Sequence, residues 1–150
     1  MQTVIFDIDG TIANIGHRLH HITEKPKDWP AFKAALVDDV PIPEIVWLVQ
    51  VLNFHKNMDN VEIVFCSGRN MDSYDDTVKW IRKYVGIQKP TLFMRAEKDY
   101  RDDVIVKREL LAEMRTLGYD PFLVFDDRQR VVDMWREEGL MCCQVAKGDY

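Results

Sequence analysis

Three short apolar runs in this chain each break off into a different kind of polar chemistry, and longer amphipathic stretches separate them. Val4-Ile5-Phe6 gives way to Asp7-Ile8-Asp9-Gly10-Thr11, Val61-Glu62-Ile63-Val64-Phe65-Cys66 runs into Ser67-Gly68-Arg69, and Phe122-Leu123-Val124-Phe125 ends in Asp126-Asp127. Runs of this kind suit strands buried on both faces, the condition of a parallel sheet covered by helices. The pattern predicts strands at about 2–7, 61–66, 91–94, 121–126 and 141–145, alternating with helices at about 42–57, 71–85, 102–117 and 129–138. Gly86, Gly118 and Gly139 each follow the last periodic residue of a helix, where a left-handed cap is favoured. Pro41 and Pro43 fit the opening of the first long helix. Met71, Tyr74, Val78, Ile81 and Val85 give the second helix a core stripe, as Leu110, Leu111, Met114 and Leu117 do the third. The expected fold class is α/β: a doubly wound, five-stranded, mainly parallel sheet with helices on both faces.

In such sheets ligands gather where the carboxyl ends of the strands stop, and all three polar breaks fall there. Asp7 and Asp9 both reach that edge if the chain stays extended for one more step, and Gly10 lets the backbone turn away. Two acids held so close repel each other unless a cation compensates. That arrangement fits a Mg²⁺ site with one carboxylate free to attack phosphorus, although an acidic strand-end turn is the plainer alternative. Ser67, Gly68 and Arg69 offer a hydroxyl, a flexible backbone and a guanidinium, a set suited to phosphate oxygens. Lys107 supplies a cation near the start of a helix, and Asp126-Asp127 bring a second pair of acids to the same edge.

The signature Asp7-x-Asp9-Gly10-Thr11, followed by Ser67, Lys107 and Asp126-Asp127, resembles that of the haloacid dehalogenase (HAD) superfamily of aspartate-dependent phosphatases. In its second half the chain is similar to the phosphatase domain of phage-type polynucleotide kinase-phosphatases. The residues concerned are Cys66-Ser67-Gly68-Arg69, Met94-Arg95, Arg101-Asp102-Asp103 ahead of Lys107, Val131–Arg136 and Gln144–Asp149. The resemblance implies a Rossmann-like HAD fold and an aspartyl-phosphate mechanism, with Asp7 as nucleophile and Asp9 as general acid and then base. It also implies that Mg²⁺ is held by the Asp7 carboxylate, the Asp9 carbonyl and the Asp126/Asp127 pair. Ser67 and Lys107 would hold phosphoryl oxygens, and Thr11, Arg18, Gly68, Arg69, Arg95 and Asp103 would complete the substrate site. The implied substrate is a 3′-phosphate on a polynucleotide end or nucleotide. A 5′-nucleotidase or small phosphometabolite phosphatase is the alternative, and a non-catalytic binding module a more remote one. The bifunctional enzymes carry a P-loop kinase domain, and no GxxxxGK[ST] occurs in this sequence. The expectation is therefore a phosphatase half standing alone, with a separate kinase or ligase partner.

A length of 150 residues fits a single domain, 1–150, able to bury most of its apolar surface. A net charge of −5 argues against gripping nucleic acid over a broad surface, but leaves room for a local basic mouth on a strand terminus. Cys66, Cys142 and Cys143 form no C-x-x-C pair and read as buried free thiols in a reducing cytosol. With no basic-apolar leader and no window of membrane-spanning length, the expected location is cytoplasmic, the host cytoplasm for a phage protein, with no membrane partner.

The segment at about 13–40 fits no strand of the pattern, and superfamily members place a cap or flap there. His17, His20 and His21 carry no separate ligand set, so zinc is disfavoured. Trp29 and Phe32 read more readily as cap core than as a base platform. Other pairings stay open from sequence: Asp103 with Lys107 as a surface ion pair four apart, Arg69 with the acidic turn Asp72-Asp75-Asp76, and Arg95 as a strand-end surface residue.

Overall fold

Val4, Ile5 and Phe6 lie in a strand, β1 (Gln2–Phe6), that is hydrogen-bonded to a neighbour on each side and buried on both faces. The computed structural model describes residues 1–150, the side chain of Asp59 excepted. After β1 come a short strand β2 (Ala13–Asn14), helices α1 (His20–Thr23) and α2 (Trp29–Ala34), and a second short strand β3 (Val40–Pro41). Then follow α3 (Pro43–Asp59), β4 (Val61–Asn70), α4 (Tyr74–Tyr84), β5 (Thr91–Arg95), α5 (Asp103–Thr116), β6 (Asp120–Arg128), α6 (Gln129–Glu137) and β7 (Met141–Gly148). The main sheet has five strands in the order β5-β4-β1-β6-β7, and every pairing in it is parallel.

The alternation of β1 assigns the two layers. Val4 and Phe6, with Ile63 and Phe65 of β4, pack against Val46 and Val49 of α3 and Trp80 and Ile81 of α4. Ile5, with Val64 and Val124, packs on the opposite face against Leu111 and Met114 of α5 and Val131 and Trp135 of α6. Phe6 stacks on Phe125 at 4.8 Å between ring centroids. Each fully buried Val, Leu, Ile or Phe contributes roughly 1.5–3 kcal/mol. The two layers, which hold most of these side chains, fix the strand ends from which the acids project.

Several boundaries differ from the sequence reading. β4 does not end at residue 66: Ser67 pairs with Met94 and Asn70 with Arg95 across a register shift, so the Ser-Gly-Arg segment stays tied to β5 as a bulge. β6 likewise continues through its acid pair to Arg128, and β7 follows it to Gly148. Met71 leaves the predicted stripe of the second helix because it sits in a 3₁₀ turn and is exposed; Thr77, Val78, Trp80 and Ile81 form the buried face. Leu117 is 62% exposed, because α5 stops one residue before it and the helical phase is lost. Cys66 and Cys142 are buried, each thiol pushed up to about 12 by that burial and thus held neutral, whereas Cys143 is exposed. No helix among the described residues is long and apolar enough to cross a membrane.

The insert between β1 and α3 contains strands after all. β2 and β3 pair antiparallel, Ala13 with Pro41 and Asn14 with Val40, which brings both ends of the insert together over the carboxyl ends of the sheet. Trp29 is 54% exposed, which corrects its reading as cap core, while Phe32 is partly buried under the Arg18 guanidinium at 4.3 Å.

Candidate active site

Asp7 follows the last residue of β1, and its main-chain N–H donates to Phe125 O at 2.9 Å, locking the two central strand ends side by side. Its carboxylate accepts from Lys107 Nζ on Oδ1 at 2.7 Å and from Thr11 Oγ1 on Oδ2 at 3.2 Å. The same ammonium donates to Asp126 Oδ2 at 2.8 Å, an oxygen also held by Trp135 Nε1 at 3.0 Å. Lys107 is thus buried between two acids from neighbouring strands, and the surface pair with Asp103 does not form.

Asp7, Asp126 and Asp127 each present an oxygen within 4.8 Å of the others. Burial pushes the Asp7 carboxyl well above the ordinary range; Asp126 and Asp127 add to the rise, and Lys107 offsets part of it. Burial likewise pushes Asp127 up to about 6, with Asp126 repelling it. Asp127 Oδ1 is buried without a hydrogen-bond partner, a costly state that a cation would relieve. One orphaned oxygen and three crowded carboxylates fit a hard divalent ion, for which oxygen is the preferred donor. The histidines offer no rival centre: His17 Nε2 lies 2.8 Å from Asp39, His20 and His21 lie against each other, and no mixed histidine cluster occurs among the described residues.

Asp9 lies beyond the strand, and its side chain is drawn to the insert. Its Oδ1 takes Arg69 Nη2 at 2.6 Å, Arg69 Nε at 2.9 Å and Arg18 Nη2 at 3.0 Å. Burial alone would raise the Asp9 carboxyl; Arg69 and Arg18 overcome it and hold the group below the usual carboxylate range. Arg69 therefore serves this cluster, while Asp72 of the acidic turn pairs with Lys33 instead. Arg69 also donates to Thr77 Oγ1 at 3.1 Å, and its main-chain N–H to Ser67 Oγ at 3.1 Å.

Two residues of this network have no counterpart in the sequence reading. Asp39, at the foot of the insert and 0% exposed, accepts Arg18 Nε and Nη2 at 2.7 Å each and Arg69 Nη2 at 2.9 Å, and its carbonyl takes Trp80 Nε1 at 2.8 Å. The Tyr150 hydroxyl lies 2.8 Å from the Asp9 carbonyl and 3.0 Å from Asp127 Oδ2; having one hydrogen, it donates to one at a time. Asp39 follows another acid with no motif around it, and Tyr150 carries no chemical signature in sequence.

Arg95 and Asp103 are placed beside the site rather than at its floor. Arg95 donates to Gly68 O at 2.8 Å and to the carboxylate of Asp103, whose other oxygen takes Arg128 Nη1 at 2.7 Å. Arg95 is consequently a clamp and not a free surface residue. A Cβ on Gly68 would lie 2.6 Å from Asp103 Oδ1, so a side chain here would push the Asp103 carboxylate against its arginine partners. Asp7, Asp9, Arg18, Ser67, Arg69 and Lys107 all face one cavity of about 520 Å³.

The entire chain, residues 1–150, matches the family of the polynucleotide kinase PNKP phosphatase domain. A protein of Autographa californica nuclear polyhedrosis virus that carries the name bifunctional polynucleotide kinase/RNA ligase is 31% identical over 136 residues, which are 91% of this chain and 18% of that protein. A chain in the solved structure of the Pnkp1/Rnl/Hen1 RNA repair complex superposes with a TM-score of 0.81 at 29% identity, covering 99% of this chain and 43% of that one. This chain thus spans less than half the length of either relative. The class C acid phosphatase of Bacillus anthracis shares the fold, with a TM-score of 0.68 at 16% identity over 99% of this chain and 67% of the other. The family match over the whole chain, with its parallel α/β fold, makes this a HAD-type phosphatase. Within that class the chain belongs to the HAD family of PNKP phosphatase domains.

Proposed function

We propose that this phosphatase removes 3′-phosphates from polynucleotide ends or nucleotides, with Mg²⁺ as cofactor and Asp7 as the nucleophile. The observation that carries the reading is the Asp7 carboxylate itself: buried at the cavity floor, oriented from both oxygens by Lys107 and Thr11, and within 4.8 Å of a carboxylate oxygen of Asp126 and of Asp127. Asp7, the Asp9 carbonyl and the Asp126/Asp127 pair would hold Mg²⁺, which when bound supplies positive charge that keeps the carboxylates ionised and offsets charge on the phosphoryl oxygens.

In the first step an Asp7 oxygen attacks phosphorus, the phosphorus–ester oxygen bond breaks, and the departing sugar oxygen takes a proton from Asp9. In the second, Asp9 accepts a proton from water as the water oxygen attacks the aspartyl-phosphate; the bond to Asp7 breaks and inorganic phosphate leaves. Lys107 and Ser67 would hold the non-bridging oxygens through both steps. All three guanidinium bonds to Asp9 fall on Oδ1, so Oδ2 is the oxygen available for the proton. In the resting site Arg18 and Arg69 favour ionised Asp9. Its role as acid therefore depends on the substrate anion drawing those two cations towards itself, which ties proton delivery to occupancy.

A polynucleotide substrate is supported by the family match and by the names of the two relatives, and the 3′ position is what the sequence resemblance to the phage-type phosphatases implies. A separate kinase or ligase acting with this chain belongs to the same proposal, supported by the RNA repair complex in which one relative sits. The test is Mg²⁺-dependent phosphate release from a 3′-phosphorylated oligonucleotide, a 3′-mononucleotide and a 5′-mononucleotide. Faster turnover of the 3′ substrates is expected; preferential turnover of the 5′-mononucleotide overturns the substrate assignment.

A further inference from the structure

Trp29 is the one large aromatic of the insert left half in solvent at the wall of the catalytic cavity, and a chain of direct contacts connects it to the proposed phosphate site. Arg18, bonded to Asp9, places its guanidinium 4.3 Å from the centre of the Phe32 ring. Phe32 in turn meets Trp29 edge to face, 5.9 Å between centroids at 89°. An edge-to-face contact covers at most one of the two faces of an indole. Trp29 is also held in place: it opens α2, whose first turn is capped by Asp28 accepting from Ala31 N at 2.9 Å. Lys33, one turn further on, pairs at 2.5 Å with Asp72 of the exposed turn that precedes α4. An aromatic side chain that is exposed, set on a capped helix and two contacts from Arg18, which the proposed function places at the substrate phosphate, has the features of a stacking platform. Lys27 Nζ stands over the Trp29 ring, 5.7 Å from its centroid, so a stacking base would displace this flexible side chain or take the other face of the indole.

We propose that Trp29 stacks on the base of the nucleotide whose 3′-phosphate lies at Asp7, which makes this side chain a determinant of nucleic-acid specificity and not cap packing. The inference rests on the substrate reading above. It adds that the base itself is gripped, by stacking that tolerates any base identity.

The test compares two oligonucleotides, identical except that the 3′-phosphorylated terminal nucleotide carries a base in one and is abasic in the other. For the unaltered protein, kcat/KM is expected to favour the base-bearing substrate about tenfold, the scale of one stacked base, chiefly through KM. Trp29→Ala is expected to bring the ratio close to one, and Trp29→Phe to retain most of it. Equal turnover of the two substrates by the unaltered protein, or an undiminished preference in Trp29→Ala, overturns the inference while leaving the 3′-phosphatase reading intact. Failure of that reading looks different: neither oligonucleotide releases phosphate although an aryl phosphate does, and the inference falls with it.

Discussion

Lys107 Nζ and Asp7 Oδ1 meet at 2.7 Å across one hundred positions of sequence, in a region where both side chains are buried. Burial works against the charge on Lys107, and Asp126 and Asp7 overcome that cost, so the ammonium stays protonated among the carboxylates. The pair is the electrostatic joint between α5 and the centre of the sheet.

Replacing Lys107 by Met leaves Asp7 and Asp126 facing each other uncompensated. Loss of one partner of a buried ion pair costs about 3–5 kcal/mol. The Mg²⁺-free variant should lose that much in urea unfolding at pH 7. With the Asp7 carboxyl, already raised by burial, no longer offset by Lys107, part of the loss should return as the pH falls and it takes up a proton. Equal midpoints for the variant and the unaltered protein at pH 7 would remove Lys107 from this role.

Asp7→Asn keeps the shape of the side chain and an acceptor for Lys107 or Thr11 while removing the nucleophile. Turnover should vanish with the circular dichroism spectrum unchanged. In rapid acid quench of the unaltered protein with a radiolabelled substrate, label should remain on the chain, and in the variant it should not. Full activity in Asp7→Asn would reject the covalent step.

Asp39 has no predicted catalytic role, yet it balances two buried guanidiniums. Asp39→Ala leaves Arg18 and Arg69 with Asp9 as their one carboxylate partner, and a loss of about 3–5 kcal/mol is expected from chemical denaturation. Because both arginines are then free to shift, KM for a phosphate ester should rise more steeply than kcat falls. A variant with unaltered stability would show that the cluster tolerates the missing charge.

Asp127, together with Asp7, would give the proposed Mg²⁺ site its pH dependence. The Asp127 carboxyl is pushed up to about 6 by burial and Asp126, against the opposing pull of the Tyr150 hydroxyl and Lys107. A carboxyl with a raised folded value stabilises the fold fully below its unfolded value of about 4, and the contribution is lost as the pH rises through about 6. Mg²⁺ should therefore raise the Tm more at pH 7 than at pH 5, where protons compete for the same oxygens. Thermal melts with and without Mg²⁺ at both pH values check this, and Asp127→Asn should shrink the difference; a shift independent of pH contradicts it.

The sheet was legible because its strands are apolar on both faces, which leaves runs such as Val61–Cys66 with few other uses. Their ends were not, because Ser67 and Asn70 stay bonded to β5 through main-chain groups that side-chain polarity does not report. The acids, Lys107, Arg18 and Arg69 could be nominated from their order along the chain, and the fold brings them to one cavity. Asp39 could not: it meets Arg18 across 21 positions and Arg69 across 30, contacts that depend on how the insert folds back. The place of Trp29 is hidden in the sequence for a related reason, since hydrophobicity alone does not distinguish an aromatic that fills a small cap from one that lines its opening.

The short ladder joining Ala13–Asn14 to Val40–Pro41 makes the insert a cassette with its two ends stitched together. Because that seam lies outside the five-stranded sheet, segments of other lengths exchanged there should leave the order of the strands beneath unaltered. Laboratory evolution aimed at new phosphate esters has a natural crossover point there, provided each replacement brings its own acid to stand where Asp39 does.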